Sequence, residues 1–180
     1  MRRKHVLVIL ITSIITLLLN SCSLGGSHMS RRLFNNDEDA ANAQMDKILE
    51  ALQNKDKDSL KALFSKNAID ADETFNEDID DLFDFFQGDL ISYNNWGGPG
   101  VEEERYNDQR KKEFYSTYDV ETSKQKYRFA VLDFTIDTAN PGNVGIYSFY
   151  IVLADNTDEQ VAYRGDGKYT PGINIDGGNS

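Results

Sequence analysis

The chain has 180 residues, 39% of them apolar, with 19 Lys and Arg against 30 Asp and Glu and a net charge of −11. That is material for one domain with its own core, and so negative a balance argues against a nucleic-acid partner, because phosphate binding is driven by Lys and Arg that displace counterions. Cys22 is the single cysteine, which excludes an internal disulfide; after residue 36 there is neither His nor Cys, so Ser-His-Asp and Cys-His catalysis and the usual zinc sets are excluded there.

At the N-terminus Arg2, Arg3 and Lys4 precede an apolar run from Val6 to Leu19, broken by Thr12, Ser13 and Thr16. This is the form of an export signal. Fourteen helical residues reach about 21 Å, short of the roughly 30 Å of a hydrocarbon core, so the run is read as a signal and not as a lasting span. The following Leu19-Asn20-Ser21-Cys22 resembles the lipobox of bacterial lipoproteins. The resemblance implies that residues 1–21 are removed, that Cys22 carries a diacylglyceryl group, and that the protein is held at the extracytoplasmic face of a cell membrane. Removal of Arg2, Arg3 and Lys4 takes the net charge from −11 to −14. Residues 22–36 then read as the lipidated Cys and a polar, flexible tether, and residues 37–180 as a single domain.

Within that domain Met45, Ile48, Leu49 and Leu52 fall at i, i+3, i+4 and i+7, the apolar face of a helix. Asp56 or Asp58 is placed to cap a second helix bearing Leu60, Leu63, Phe64 and Ala68. A third helix is expected over 72–87, with Phe75, Ile79, Leu82, Phe83 and Phe86 inward, Gly88 as its stop and a mostly acidic outer face. Strands are then expected over Leu90–Trp96, Lys111–Thr122, Lys126–Asp137 and Val144–Ala154. Glu102, Glu103 and Glu104 read as loop, residues 138–143 as a hairpin connection with Pro141 and Gly142, and Ile173 as part of a short edge strand. In the last long strand Tyr147, Phe149, Ile151 and Leu153 alternate with Ile146, Tyr150 and Val152. Both faces are apolar, so it is expected to be central and covered twice.

Helices first and an antiparallel sheet afterwards give an α+β domain of two layers. The stretch NAQMDKILEALQNKDKDSLKALF, residues 42–64, with the strands that follow, resembles the nuclear transport factor 2-like (cystatin-like) superfamily, and segments 126–137 and 145–153 resemble bacterial lipoproteins of unknown function within it. The resemblance implies N-terminal helices packed on a curved sheet that forms a cone, and a conical pocket that in some members binds small apolar ligands.

Tyr93 and Trp96, at a strand end beside Gly97 and Gly98, are candidates for the rim of such a pocket, or else for a plug that closes the open end of the sheet. Tyr118, Tyr127, Tyr147 and Tyr150 are candidates for its lining or for hydrogen-bonded core. No catalytic set, cofactor or metal site is legible, and the carboxylates Asp119, Asp133 and Asp137 are assigned no role. Arg164-Gly165-Asp166 reads as a plain turn before it reads as an adhesion motif. The expected function is a membrane-anchored binding module for a small molecule or an envelope protein. An assembly role as a homodimer is the alternative, and a pocket enzyme using Asp and Tyr comes after both.

Overall fold

The computed structural model describes residues 26–96, 98–154 and 169–176, which form four helices and then six strands. The chain divides into two units, Met1–Asn36 and Asp37–Ser180. The expected signal peptide, Cys22 and the Arg164-Gly165-Asp166 turn lie outside the described residues. Helix α1 is Gly26–Asn54, so most of the expected tether is helical.

The face of α1 is the one its spacing predicts: Met45, Ile48, Leu49 and Leu52 are buried. The helix ends where Lys55 takes φ 50° and the Asp56 N–H donates to Ala51 O at 2.9 Å. Asp56 then caps α2 (Lys57–Ala62) by accepting from Ser59 N at 3.0 Å. The single second helix expected through Ala68 is two helices, because Phe64 and Ser65 leave it to meet the sheet. Ser65 N donates to Ile146 O at 2.9 Å and Ile146 N to Leu63 O at 3.0 Å. Ser65 also caps α3 (Lys66–Ala71), its Oγ accepting from Ala68 N. Helix α4 (Phe75–Phe85) is shorter at both ends than expected and buries Phe75, Ile79, Leu82 and Phe83. Gly88 stands at φ 88° past its end, a conformation that costs glycine little.

The strands are β1 (Leu90–Asn95), β2 (Gly100–Tyr106), β3 (Gln109–Thr122), β4 (Lys126–Asp137), β5 (Gly145–Leu153) and β6 (Gly172–Asp176). The sheet order is β1-β3-β4-β5-β6, with β2 also on β3, and it does not close. Glu102 to Glu104, expected as a loop, are strand β2, since opposed charges favour the pairing: Glu103 faces Lys112, Glu104 faces Lys111, and Glu103 accepts from Arg105 at 2.8 Å and Arg110 at 3.0 Å. The sheet is antiparallel except at β5 and β6, which run parallel. The 18 residues between Leu153 and Gly172 are enough for the crossover that a parallel pair requires.

One face of the sheet meets the helices in a core where Phe129 and Phe149 pack edge to face at 5.1 Å and Phe64 and Phe75 at 4.9 Å. Strict alternation places Ile146 opposite Phe149, yet both lie in this core. A bulge explains it: Leu132 pairs with Ser148 and Asp133 with Ile146, leaving Tyr147 as the extra residue. Gly145 next to it adopts φ 117°, and a Cβ there would lie 2.9 Å from Ser65 N and 3.0 Å from Leu63 O, the atoms of the two bonds that tie the helices to β5. The second face is also buried at Ala130, Leu132, Tyr150 and Val152. Part of its cover is the chain's own Tyr169, whose ring lies 5.4 Å from that of Tyr115.

Candidate functional site

The layers leave little room between them. Under α1 the space lined by Gln44, Met45, Phe114, Tyr118 and Asp133 among others is about 10 Å³, and the space on the second face between Tyr115, Ser148, Tyr150 and Tyr169 is also about 10 Å³. Each has room for about one water.

The open space lies at one polar end of the second face. Alternation along β1 sends Ser92, Asn94 and the following Trp96 to this side, while register places Asn94 beside Asp119 and Asp119 beside Arg128. A groove of about 220 Å³ runs over Ser92, Asn94, Asp119, Glu121, Lys126 and Arg128. At its side Trp96 is half exposed, at 50%, and is held in place by the residues around it. Its N–H donates to Thr117 O at 3.1 Å, its Nε1 donates to Asp119 Oδ2 at 2.9 Å, and the Arg128 guanidinium stacks 4.2 Å from the ring centroid. Arg128 Nε donates to Asp119 Oδ1 at 2.9 Å, so one carboxylate holds both the ring and the cation. The Arg128 side chain is only 13% exposed, whereas that of Asp119 is 44% exposed. A cation stacked on an indole contributes about 0.5–2 kcal/mol according to its desolvation. Lys126 and Glu121 pair more openly at 3.3 Å.

A second groove of about 320 Å³ lies between α1 and α2, over Lys47, Glu50, Asn54, Asp56 and Ser59. It has no aromatic residue, so it lacks the side chains that carry most binding energy at interfaces. Among the described residues no group of three or more His, Cys, Asp or Glu is placed to hold a metal ion.

Of the six aromatic residues singled out from the sequence, Tyr93 and Tyr118 meet edge to face at 5.9 Å, and the six do not share one site. Tyr93 projects from β1 on the side opposite Trp96, toward the helices. Its hydroxyl donates to Asp46 Oδ1 at 2.7 Å, and burial with that carboxylate pushes its pKa up to about 12. It therefore clamps β1 to α1 and shares no rim with Trp96. Tyr118 lies under α1 against Tyr93, and burial raises it to about 12 as well. The Tyr127 hydroxyl accepts from Gln87 N at 2.7 Å and donates to Phe85 O at 2.9 Å, closing the C-terminal end of α4. Tyr147 packs edge to face with Phe134 at the bulge, 5.5 Å between centroids, and Tyr150 is buried on the second face. Sequence reasoning passed over Arg128. Its signal was a cation between the apolar Tyr127 and Phe129 near the start of a strand, a position that the register opposite Asp119 explains.

The family model for the domain of unknown function DUF5104 matches residues 47–155, from the second half of α1 through β5. No curated protein matches the chain.

Proposed function

The chain belongs to the DUF5104 family, and from that premise we propose that it is a lipid-anchored binding module of the cell envelope that engages a protein partner through the Trp96 end of its outer sheet face. One observation carries the choice of face: the space between α1 and the sheet is about 10 Å³, as is the one beside Tyr169 on the outer face, whereas the groove beside Trp96 is about 220 Å³. Ligand pockets are ordinarily of several hundred cubic ångströms, so a small molecule inside a cone is the weaker reading. The order of helices before an open sheet supports placing the fold with the nuclear transport factor 2-like domains.

Trp and Arg are the residue types that dominate binding energy at interfaces, and here both are already held in one geometry, which lowers the ordering cost of association. Asp119 and Glu121, each with a side chain 44% exposed, fit a partner surface that presents basic or amide donors around an apolar patch able to cover the indole. The anchor is the diacylglyceryl group on Cys22, which keeps the domain at the extracytoplasmic face. A photoreactive residue at position 94, used in intact cells, is expected to yield a discrete adduct that Trp96→Ala reduces at least several-fold, while the same residue at exposed Glu77 on α4 yields none. Equal adducts from both positions, or an adduct indifferent to Trp96→Ala, would argue against this face. An adduct with a second copy of the chain would favour the homodimer.

A further inference from the structure

The space beneath α1 contains two polar groups that the fold does not serve. Tyr118 is 1% exposed and its hydroxyl has no hydrogen-bond partner; the neighbouring Ser116 holds its ionisation down slightly without making a bond of good geometry. Asp133, half-buried on β4, lines the same space, and among the described residues its carboxylate makes no hydrogen bond or ion pair. A buried carboxylate without a partner is costly when ionised and much less so when protonated. The space has room for about one water, which can donate to the carboxylate and accept from the tyrosine hydroxyl but cannot by itself replace the hydration that an ionised carboxylate loses on burial.

We propose that Asp133 and Tyr118 form an acid-responsive seat for α1: with Asp133 protonated the helix lies over a neutral space, and with Asp133 ionised it lies over a desolvated charge that Lys47 offsets only in part. Burial pushes the Asp133 carboxyl up to about 6 from an ordinary value of 3.8, with Lys47 on α1 pulling the other way. The charged and titratable groups around the seat are few. From α1 come Lys47, and Asp46 and Glu38 acting on Tyr118; from β1 comes Tyr93. From β3 come Tyr118 and Lys112, the latter held by Asp37 at 2.5 Å, and from β5 the register partner is the uncharged Ile146. Because the folded value lies above the unfolded one, the folded state binds the extra proton. The stabilisation is full below about pH 4 and is lost as pH rises through about 6.

The test is denaturant unfolding of the mature protein and its Asp133→Asn variant between pH 4 and 7.5. Other carboxylates titrate in both proteins, so the difference between the two is what reports Asp133. The variant is expected to gain on wild type with rising pH by up to about 100-fold in folding equilibrium, and hydrogen exchange along residues 41–48 of α1 should slow in the variant at pH 7.5. A difference that does not change with pH would overturn the proposal, as would slowed exchange spread evenly over the sheet. Should the variant fail to fold, carbon NMR titration of the Asp133 carboxyl in wild type decides: a midpoint near 6 supports the seat, and one near 4 rejects it.

Discussion

Phe149→Ala is expected to destabilise the domain by about 3–5 kcal/mol, the range for removing a large side chain from a packed core. The ring is fully buried, meets Phe129 edge to face at 5.1 Å and Phe64 at 6.5 Å, and sits in register with Val131 on one side and Ile173 on the other. Phe64 is the residue that breaks the helical segment to reach the sheet, so the cavity would open where helices and strands are joined. Relaxation is limited there by the paired bonds of Ser65 and Ile146. Denaturant midpoints of the two proteins measure the effect. A loss under about 1 kcal/mol would mean that the space around Phe149 is loose, and with it the case against an interior ligand would fail.

The other large effect is on location. Cys22→Ala is expected to move essentially all of the protein from the membrane fraction to the soluble fraction. A single myristoyl chain gives only marginal, reversible binding, and each buried methylene adds about 0.8 kcal/mol, so several acyl chains on one cysteine anchor far more firmly than the protein surface could. No helix among the described residues is long and apolar enough to cross a membrane. Partitioning unchanged by the substitution, after a high-salt wash to strip protein-mediated retention, would refute the lipid anchor.

Local pattern made much of the fold readable. The apolar spacing of Met45 to Leu52 and of Phe75 to Phe83 is the face each helix buries, and β4 has the bounds its alternation implies. What pattern missed was decided by contacts distant in sequence. Nothing local says that Phe64 leaves a helix to pair with Ile146, that Tyr147 is a bulge, or that Glu102 to Glu104 form a strand in which lysines lie across from Glu103 and Glu104. The candidate site followed the same division. Trp96 stands out in the sequence as an aromatic at a strand end beside two glycines, but its companions Asp119 and Arg128 come from two other strands, and only the register unites them. Tyr93 was paired with Trp96 on closeness in sequence, and the odd spacing between them puts them on opposite faces.

The central claim, that a partner covers the Trp96 end of the outer face, is tested most directly by the side chain itself, since Trp96 is the only tryptophan in the chain. Oxidative footprinting read by mass spectrometry compares its labelling in the native envelope with that in the purified protein, with Tyr106, 76% exposed on β2, as the reference. The account predicts that Trp96 labelling falls several-fold in the envelope while Tyr106 labelling is unchanged. Equal labelling of Trp96 in both states would contradict it.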